Sequence, residues 1–278
     1  MTGTLDLPPF YSAIALREHG DAFTHAQAIA ADQGAGTLVW VRRFDTVEFA
    51  VVLEPDEELK NARRVLYAGM TAIGDALAAH CPPEKPLVFA WPDTILLDGG
   101  ILGGGRIGWP KGAAETATPD WLVLGFVLRM TVPQKRASDG ALLGPSVAHL
   151  PNRESSAGPS VAPLRNRAGG HALDVAVKRG TSLEIEGFDM MDAAQVINGF
   201  TRHFMVQVDR WQEKGFRGIG EDFLARLPAD NAIRRGIDID GDLLVRRFKA
   251  GAEPERQSLI EALRTAQWLD PETGDPWL

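Results

Sequence analysis

A single cysteine, Cys81, excludes an internal disulfide and any multi-cysteine zinc site in this chain of 278 residues. No run approaches the roughly 20 consecutive apolar residues that a membrane helix needs. The stretch Trp121-Leu122-Val123-Leu124-Gly125-Phe126-Val127-Leu128 has instead the length of a buried strand. Basic residues are outnumbered, 29 Lys and Arg against 37 Asp and Glu, and the net charge of −8 argues against non-specific binding to nucleic acid or an anionic membrane. The N-terminus lacks a basic segment followed by an apolar one, so a reducing cytoplasm is the expected compartment. No G-x-x-x-x-G-K-[ST] loop and no G-x-S-x-G elbow occurs. The histidines (His19, His25, His80, His149, His171 and His203) have no metal-ligand spacing, and no metal site is expected.

What is present reads as an ordinary globular protein, 45% hydrophobic and 24% charged, long enough for one large domain and a small one. Residues 1 to 20 read as irregular. Asp21 caps a predicted helix from Ala22 to Ala31, stopped by Gly34-Ala35-Gly36, and strands follow at Thr37–Val41 and Val47–Leu53. Leu59, Ala62, Leu66, Met70, Ile73 and Leu77 share one helical face, which predicts a long helix from Pro55 or Asp56 to about Cys81. Leu87–Trp91 reads as a strand, Ile95–Leu97 and Ile101-Leu102 as a hairpin around Asp98-Gly99-Gly100, and Trp121–Met130 as a further strand. Strands joined by such short turns predict an α+β fold, a mostly antiparallel sheet flanked by helices.

Residues 131–172 are rich in Pro, Ser, Gly, Arg and Ala, and Gly144-Pro145-Ser146-Val147-Ala148 is echoed by Gly158-Pro159-Ser160-Val161-Ala162, which reads as a loop-rich insertion. Regular structure is expected to return at Thr181–Ile185. Asp192 and Gln195 have capping-box spacing ahead of a helix lined by Ile197, Phe200, Phe204, Val208 and Trp211 and ended by Gly215. Short helices at Glu221–Leu227 and Glu255–Leu263 and a hairpin over Ile237–Val245 complete the reading. The division expected is a domain over 1–228 and a small C-terminal subdomain over 229–278.

Gly103-Gly104-Gly105-Arg106-Ile107-Gly108 fits the dinucleotide fingerprint G-x-G-x-x-G, but Trp109-Pro110-Lys111-Gly112 follows where that motif requires a helix start. A Rossmann domain is therefore not expected. These glycines instead suit close approach of a ligand or another strand to the backbone.

The segment Ala90-Trp91-Pro92-Asp93-Thr94-Ile95-Leu96-Leu97-Asp98-Gly99-Gly100-Ile101-Leu102-Gly103-Gly104 resembles the K-W-P-N-D-I-x-x-x-G-K-K-x-x-G-I-L pattern of the biotin/lipoate protein ligases. Gly36-Thr37-Leu38-Val39-Trp40, Val51–Pro55 with the helix after it, Leu122–Arg129, Thr181–Leu183 and Gly236–Leu244 resemble further parts of that family in consistent order. The resemblance implies its α+β fold and a two-step chemistry. ATP, with Mg2+, activates the carboxylate of biotin or lipoate as an acyl-adenylate, and a lysine of a carrier domain then attacks it. The implied partners are the small acyl acid and a biotinyl or lipoyl carrier domain, with neither nucleic acid nor membrane.

Adenylation gathers anions, so such a site needs cations and backbone donors. The family's glycine- and arginine-rich loop is reduced here to Arg42-Arg43-Phe44-Asp45-Thr46, its lysines fall on Ala90 and Ile101, and its later asparagine falls on Arg129. The ligand-binding residues expected are Trp91 as a pocket wall, Pro92 and Asp93 beside it, Gly103 and Gly104 for close approach, and Arg42, Arg43 and Arg106 for the anion. No catalytic residue is assigned. Two functions follow: an ATP-dependent biotin or lipoate ligase with a remodelled site, or a relative that binds a small carboxylate or a protein without adenylating it.

Overall fold

A computed structural model describes residues 4–132, 180–188, 191–248 and 253–277. Most of the predicted 131–172 insertion therefore lies outside the described residues. The chain starts with a strand that the sequence reading missed, β1 (Ser12–Leu16), followed by helix α1 (Ala22–Gln33). Asp21 accepts from the Thr24 N–H at 2.9 Å and caps α1. Strands β2 (Thr37–Val41) and β3 (Thr46–Leu53) come next. β1 pairs parallel with β2, and β2 antiparallel with β3.

The predicted long helix is two, α2 (Leu59–Ala62) and α3 (Val65–Ala78). At the break Arg64 bonds back to the Asn61 carbonyl at 2.8 Å and to Glu57 at 2.9 Å. The sheet continues through β4 (Leu87–Ala90), β5 (Thr94–Leu97), β6 (Gly100–Gly108) and β7 (Leu122–Arg129). Its order is β1-β2-β3-β7-β6-β5-β4, antiparallel throughout except at β1. The glycines of the apparent dinucleotide fingerprint lie inside β6, which excludes a Rossmann turn there.

Residues 183–187 form a turn, and no strand is present over 181–185; the Thr181 hydroxyl donates to Glu186 at 2.5 Å. Helix α4 (Ala193–Lys214) carries the predicted capping box and ends at Gly215. Helix α5 (Arg217–Ala225) starts earlier than expected, and the C-terminal sheet contains β8 (Ile233–Ile237), β9 (Leu243–Arg247) and β10 (Glu255–Gln257) before α6 (Leu259–Leu263). β10 replaces the first turn of the predicted last helix, because Glu255–Gln257 pair with Leu243–Val245.

One sheet face packs on α3, α4 and α5 through the main core, in which Phe49, Phe126, Phe200 and Phe204 meet at ring separations of 4.8 to 5.7 Å. Trp91 belongs to this core. Its indole N–H donates to the Tyr67 hydroxyl at 2.9 Å, which donates on to the Gly241 carbonyl at 2.5 Å. Tyr67→Phe leaves a buried N–H and a carbonyl unpaired, so urea unfolding is expected to show a loss of about 1–3 kcal/mol.

Candidate functional site

The other face of the sheet has two covers. α1 lies over β2, β3 and β7, with Ala22, Ala26 and Ala30 against Val39, Val41, Ala50, Val52 and Val123. The segment after α6 lies over β5, β6 and β7, where Trp268 is fully buried with Leu96, Ile101 and Val127. The pairing register shifts between Ile95 and Leu96, which face Gly103 and Ile101. The extra residue in β6 breaks the alternation of sides, so Ile101 and Gly104 both serve the Trp268 side while Leu102 joins the main core. A β-carbon at Gly104 would run into the Trp268 ring and the Asp93 carbonyl. The indole thus sits directly on backbone.

Asp93 is buried beside this slot, 3% exposed. Its carbonyl accepts from the Gly105 N–H at 2.8 Å and its carboxylate from the Thr94 hydroxyl at 3.2 Å. Burial pushes its carboxyl pKa up to about 7, against smaller opposing effects of Thr94, Trp268 and its own backbone. The Trp268 indole N–H is near enough to favour the carboxylate but does not form a well-directed hydrogen bond with it.

Between the two covers opens a cleft of about 500 Å³ lined by Glu18, His19, Gly20, Asp21, Arg43, Phe44, Asp45, Glu48, Arg106, Thr273, Gly274 and Asp275. Arg43 is its hub. The guanidinium holds the Asp275 carboxylate at 2.9 and 3.1 Å through Nη2, bonds Asp45 at 3.2 Å through Nε, and lies 3.7 Å from Glu48. Burial works against its charge, but Asp45 and Asp275 outweigh burial and hold its pKa above the ordinary value. Glu48, buried on β3, accepts from the Ala22 N–H at 2.8 Å in the first turn of α1. Burial raises its pKa, opposed by that bond and by Arg106 and Arg43.

Arg106 lies over the Phe23 ring at 4.9 Å and 3.8 Å from Asp21. Arg129, at the end of β7, is buried and donates to the Pro276 carbonyl. Burial depresses its pKa, offset in part by Asp275 and Asp45. The Nε atoms of Arg106 and Arg129 are enclosed without a hydrogen-bond partner among the described residues.

The structure brings Asp93, Gly104, Arg43 and Arg106 to this face. Trp91 points to the opposite side, into the main core, and does not line the cleft. Pro92 is buried between them, after a cis Trp91-Pro92 bond. Gly103 turns toward the neighbouring strand, where a β-carbon would strike the Val127 carbonyl. Arg42 is exposed and stacks on Trp40 at 5.6 Å, away from the cleft, and Lys111 is exposed outside it. Sequence reasoning missed Glu48, Trp268 and Asp275. The one available signal was the C-terminal run Trp268-Leu269-Asp270-Pro271, too polar and turn-rich to bury a tryptophan by itself.

The family model for the biotin/lipoate A/B protein ligase family matches residues 7–146 and 161–225. The chain belongs to that family. A biotin–[acetyl-CoA-carboxylase] ligase of Paracoccus denitrificans is 29% identical over 85 residues, which are 31% of this chain and 35% of that protein. This family member therefore matches only about a third of that relative's length. A biotin protein ligase-like protein of unknown function from Silicibacter sp. TM1040 has a similar structure, with TM-score 0.68, 22% identity, and coverage of 94% of this chain and 99% of that one. The apo biotin protein ligase of Aquifex aeolicus gives TM-score 0.57 at 13% identity, over 89% of this chain and 95% of that one. The Aquifex enzyme in complex with biotin and ATP gives 0.53 at 13% identity, over 88% and 99%. At these identities the likeness is one of fold, the α+β catalytic-domain architecture of the family with its large, mostly antiparallel sheet. Among the described residues no helix is long and apolar enough to cross a membrane.

Proposed function

We propose that this family member binds a small ring-bearing carboxylic acid, biotin or lipoate, on the β5–β6–β7 face, and does so without activating it with ATP. One observation carries the reading. The C-terminal segment lays a ring, Trp268, on Gly104 between Leu96, Ile101 and Val127, and a carboxylate, Asp275, on the Arg43 guanidinium. A ring slot and an arginine fork on one sheet face are the two recognition elements an acyl acid requires.

The residues present do not fit MgATP in the same way. Five carboxylates, Glu18, Asp21, Asp45, Glu48 and Asp275, line the cleft against the guanidiniums of Arg43 and Arg106, and no described lining residue is a lysine. A triphosphate brings several negative charges against these carboxylates where an acyl acid brings one, and only Mg2+ held among them would offset the difference. ATP-dependent ligation to a carrier-domain lysine is the second reading. Family membership favours it, as do the unused Nε donors of Arg106 and Arg129. With either reading we infer a cytoplasmic protein whose small sheet, β8 to β10, begins a C-terminal subdomain near residue 229.

Calorimetric titration with biotin and with lipoate, with and without MgATP, tests the proposal. Binding of one acid is expected, unchanged by MgATP, and Arg43→Ala is expected to weaken it about tenfold or more, the worth of a charge-assisted hydrogen bond. Failure of both acids to bind sinks the proposal. Pyrophosphate release with labelling of a carrier lysine decides for the ligase.

A further inference from the structure

We propose that residues 264–277 form a displaceable plug, which fills the ligand site of the free protein and must leave for the acid to enter. This rests on the reading that the β5–β6–β7 face is the acid site. Three observations point to displacement rather than a fixed part of the sheet.

The segment folds on itself. Its backbone donors bond within it: Leu269 to Ala266 at 3.4 Å, Asp270 to Asp275 at 2.9 Å, Gly274 to Asp270 at 2.8 Å and Trp277 to Trp268 at 3.0 Å. Leu269 and Pro276 form an isolated bridge inside the same unit. The segment can therefore leave without breaking a ladder of the main sheet.

Its ties to the sheet are those that a ligand would take over. They include the buried Trp268 ring on Gly104 and beside Asp93, the Asp275 carboxylate on Arg43 and the Pro276 carbonyl on Arg129, with Ala266 and Leu269 packed on the same apolar cluster. Those contacts are also imperfect. The Trp268 indole N–H reaches the Asp93 carboxylate only in poor alignment, and Arg129 Nε has no partner among the described residues. Enclosed donors left unpaired weaken the docked state relative to one in which water or a ligand reaches them.

A ligand that binds only the unplugged state has its apparent affinity reduced by the unplugged fraction, so a plug docked in about nine molecules of ten costs about tenfold. Hydrogen exchange and titration on the full chain separate this proposal from the acid reading. Without ligand, the amides of Asp270, Gly274 and Trp277 are expected to exchange about 100-fold faster than those of β6 and β7, as a locally opening unit does. Exchange at the rate of the sheet overturns the plug, whether or not any acid binds.

Trp268→Ala removes the ring, and Asp275→Asn loosens the carboxylate tie while keeping the ring. Each is expected to raise the affinity for biotin or lipoate, the first by up to about tenfold, and saturating acid is expected to speed exchange across the segment in the wild type. Acid binding with no gain in either variant, or with slowed exchange in the segment, overturns the plug. Independent opening with no acid bound by any variant overturns the acid reading, and the plug's role at that site with it.

Discussion

Gly103→Ala is expected to cost about 3 to 5 kcal/mol of stability, the sum of a strained backbone and a steric conflict at the centre of the sheet. Gly103 has φ +153°, which L side chains rarely adopt, and a β-carbon there is driven into the Val127 carbonyl of β7. The neighbour is backbone, held in the β6–β7 ladder by the Gly103–Leu128 and Gly104–Val127 pairs, so it cannot swing aside as a side-chain tip can. Relief requires opening the ladder or resetting the bulge opposite Ile95 and Leu96. The second route exchanges the faces served by β6 and takes Gly104 away from the ring slot. Urea unfolding of the variant is therefore expected to show a large drop in midpoint, accompanied by loss of acid binding in any fraction that still folds. A loss below about 1 kcal/mol, the ordinary scale of a tolerated surface substitution, would contradict the bulge geometry.

The second large effect belongs to Asp93 and depends on pH. Its carboxyl pKa rises from an ordinary 3.8 to about 7, chiefly through burial. A carboxylic acid with a raised folded-state pKa favours the folded protein least where it is charged. Below pH 3.8 the group is protonated in both states and costs nothing. Between 3.8 and about 7 folding takes up a proton, so stability falls by about 1.4 kcal/mol per pH unit. Above 7 both states are charged, and the penalty levels off on the order of 4 kcal/mol while Trp268 stays docked, and at less where its opening hydrates the carboxylate. Asp93→Asn removes this dependence. The variant is expected to match the wild type near pH 4 and to exceed it at pH 8 by up to about that amount. Parallel stability profiles of the two proteins from pH 4 to 8 would show that Asp93 is hydrated rather than enclosed under Trp268.

Much of the fold is readable in the sequence because local rules and packing agree there. Asp21 and Gly34 bound α1, Asp192 and Gln195 open α4, and the apolar run from Leu122 has strand length on a strand buried on both faces. The errors have physical causes. β1 is a short edge strand, Ser12-Ala13-Ile14-Ala15-Leu16, with little buried surface of its own, and its parallel partner is reached only through α1. The split between α2 and α3 depends on Arg64 reaching Glu57, Trp211 and Phe216, and two of these are distant in sequence.

The site was harder to read for the same reason. Trp91 and Asp93 are two residues apart and would share a face in a regular strand, yet they sit at the end of β4 around Pro92, and one serves the main core while the other lies under the tail. Arg42 and Arg43 look equivalent in sequence, but only Arg43 faces the cleft. The occupants of the slot, Trp268 and Asp275, lie more than 160 residues beyond Gly104, at a distance no local pattern spans.

A structure determined with biotin or lipoate at saturation tests whether the β5–β6–β7 face receives a ring and a carboxylate. The acid's ring is expected on Gly104 between Leu96, Ile101 and Val127, its carboxylate on Arg43, and Trp268 displaced. Acid bound elsewhere with Trp268 still buried on Gly104 would contradict that placement.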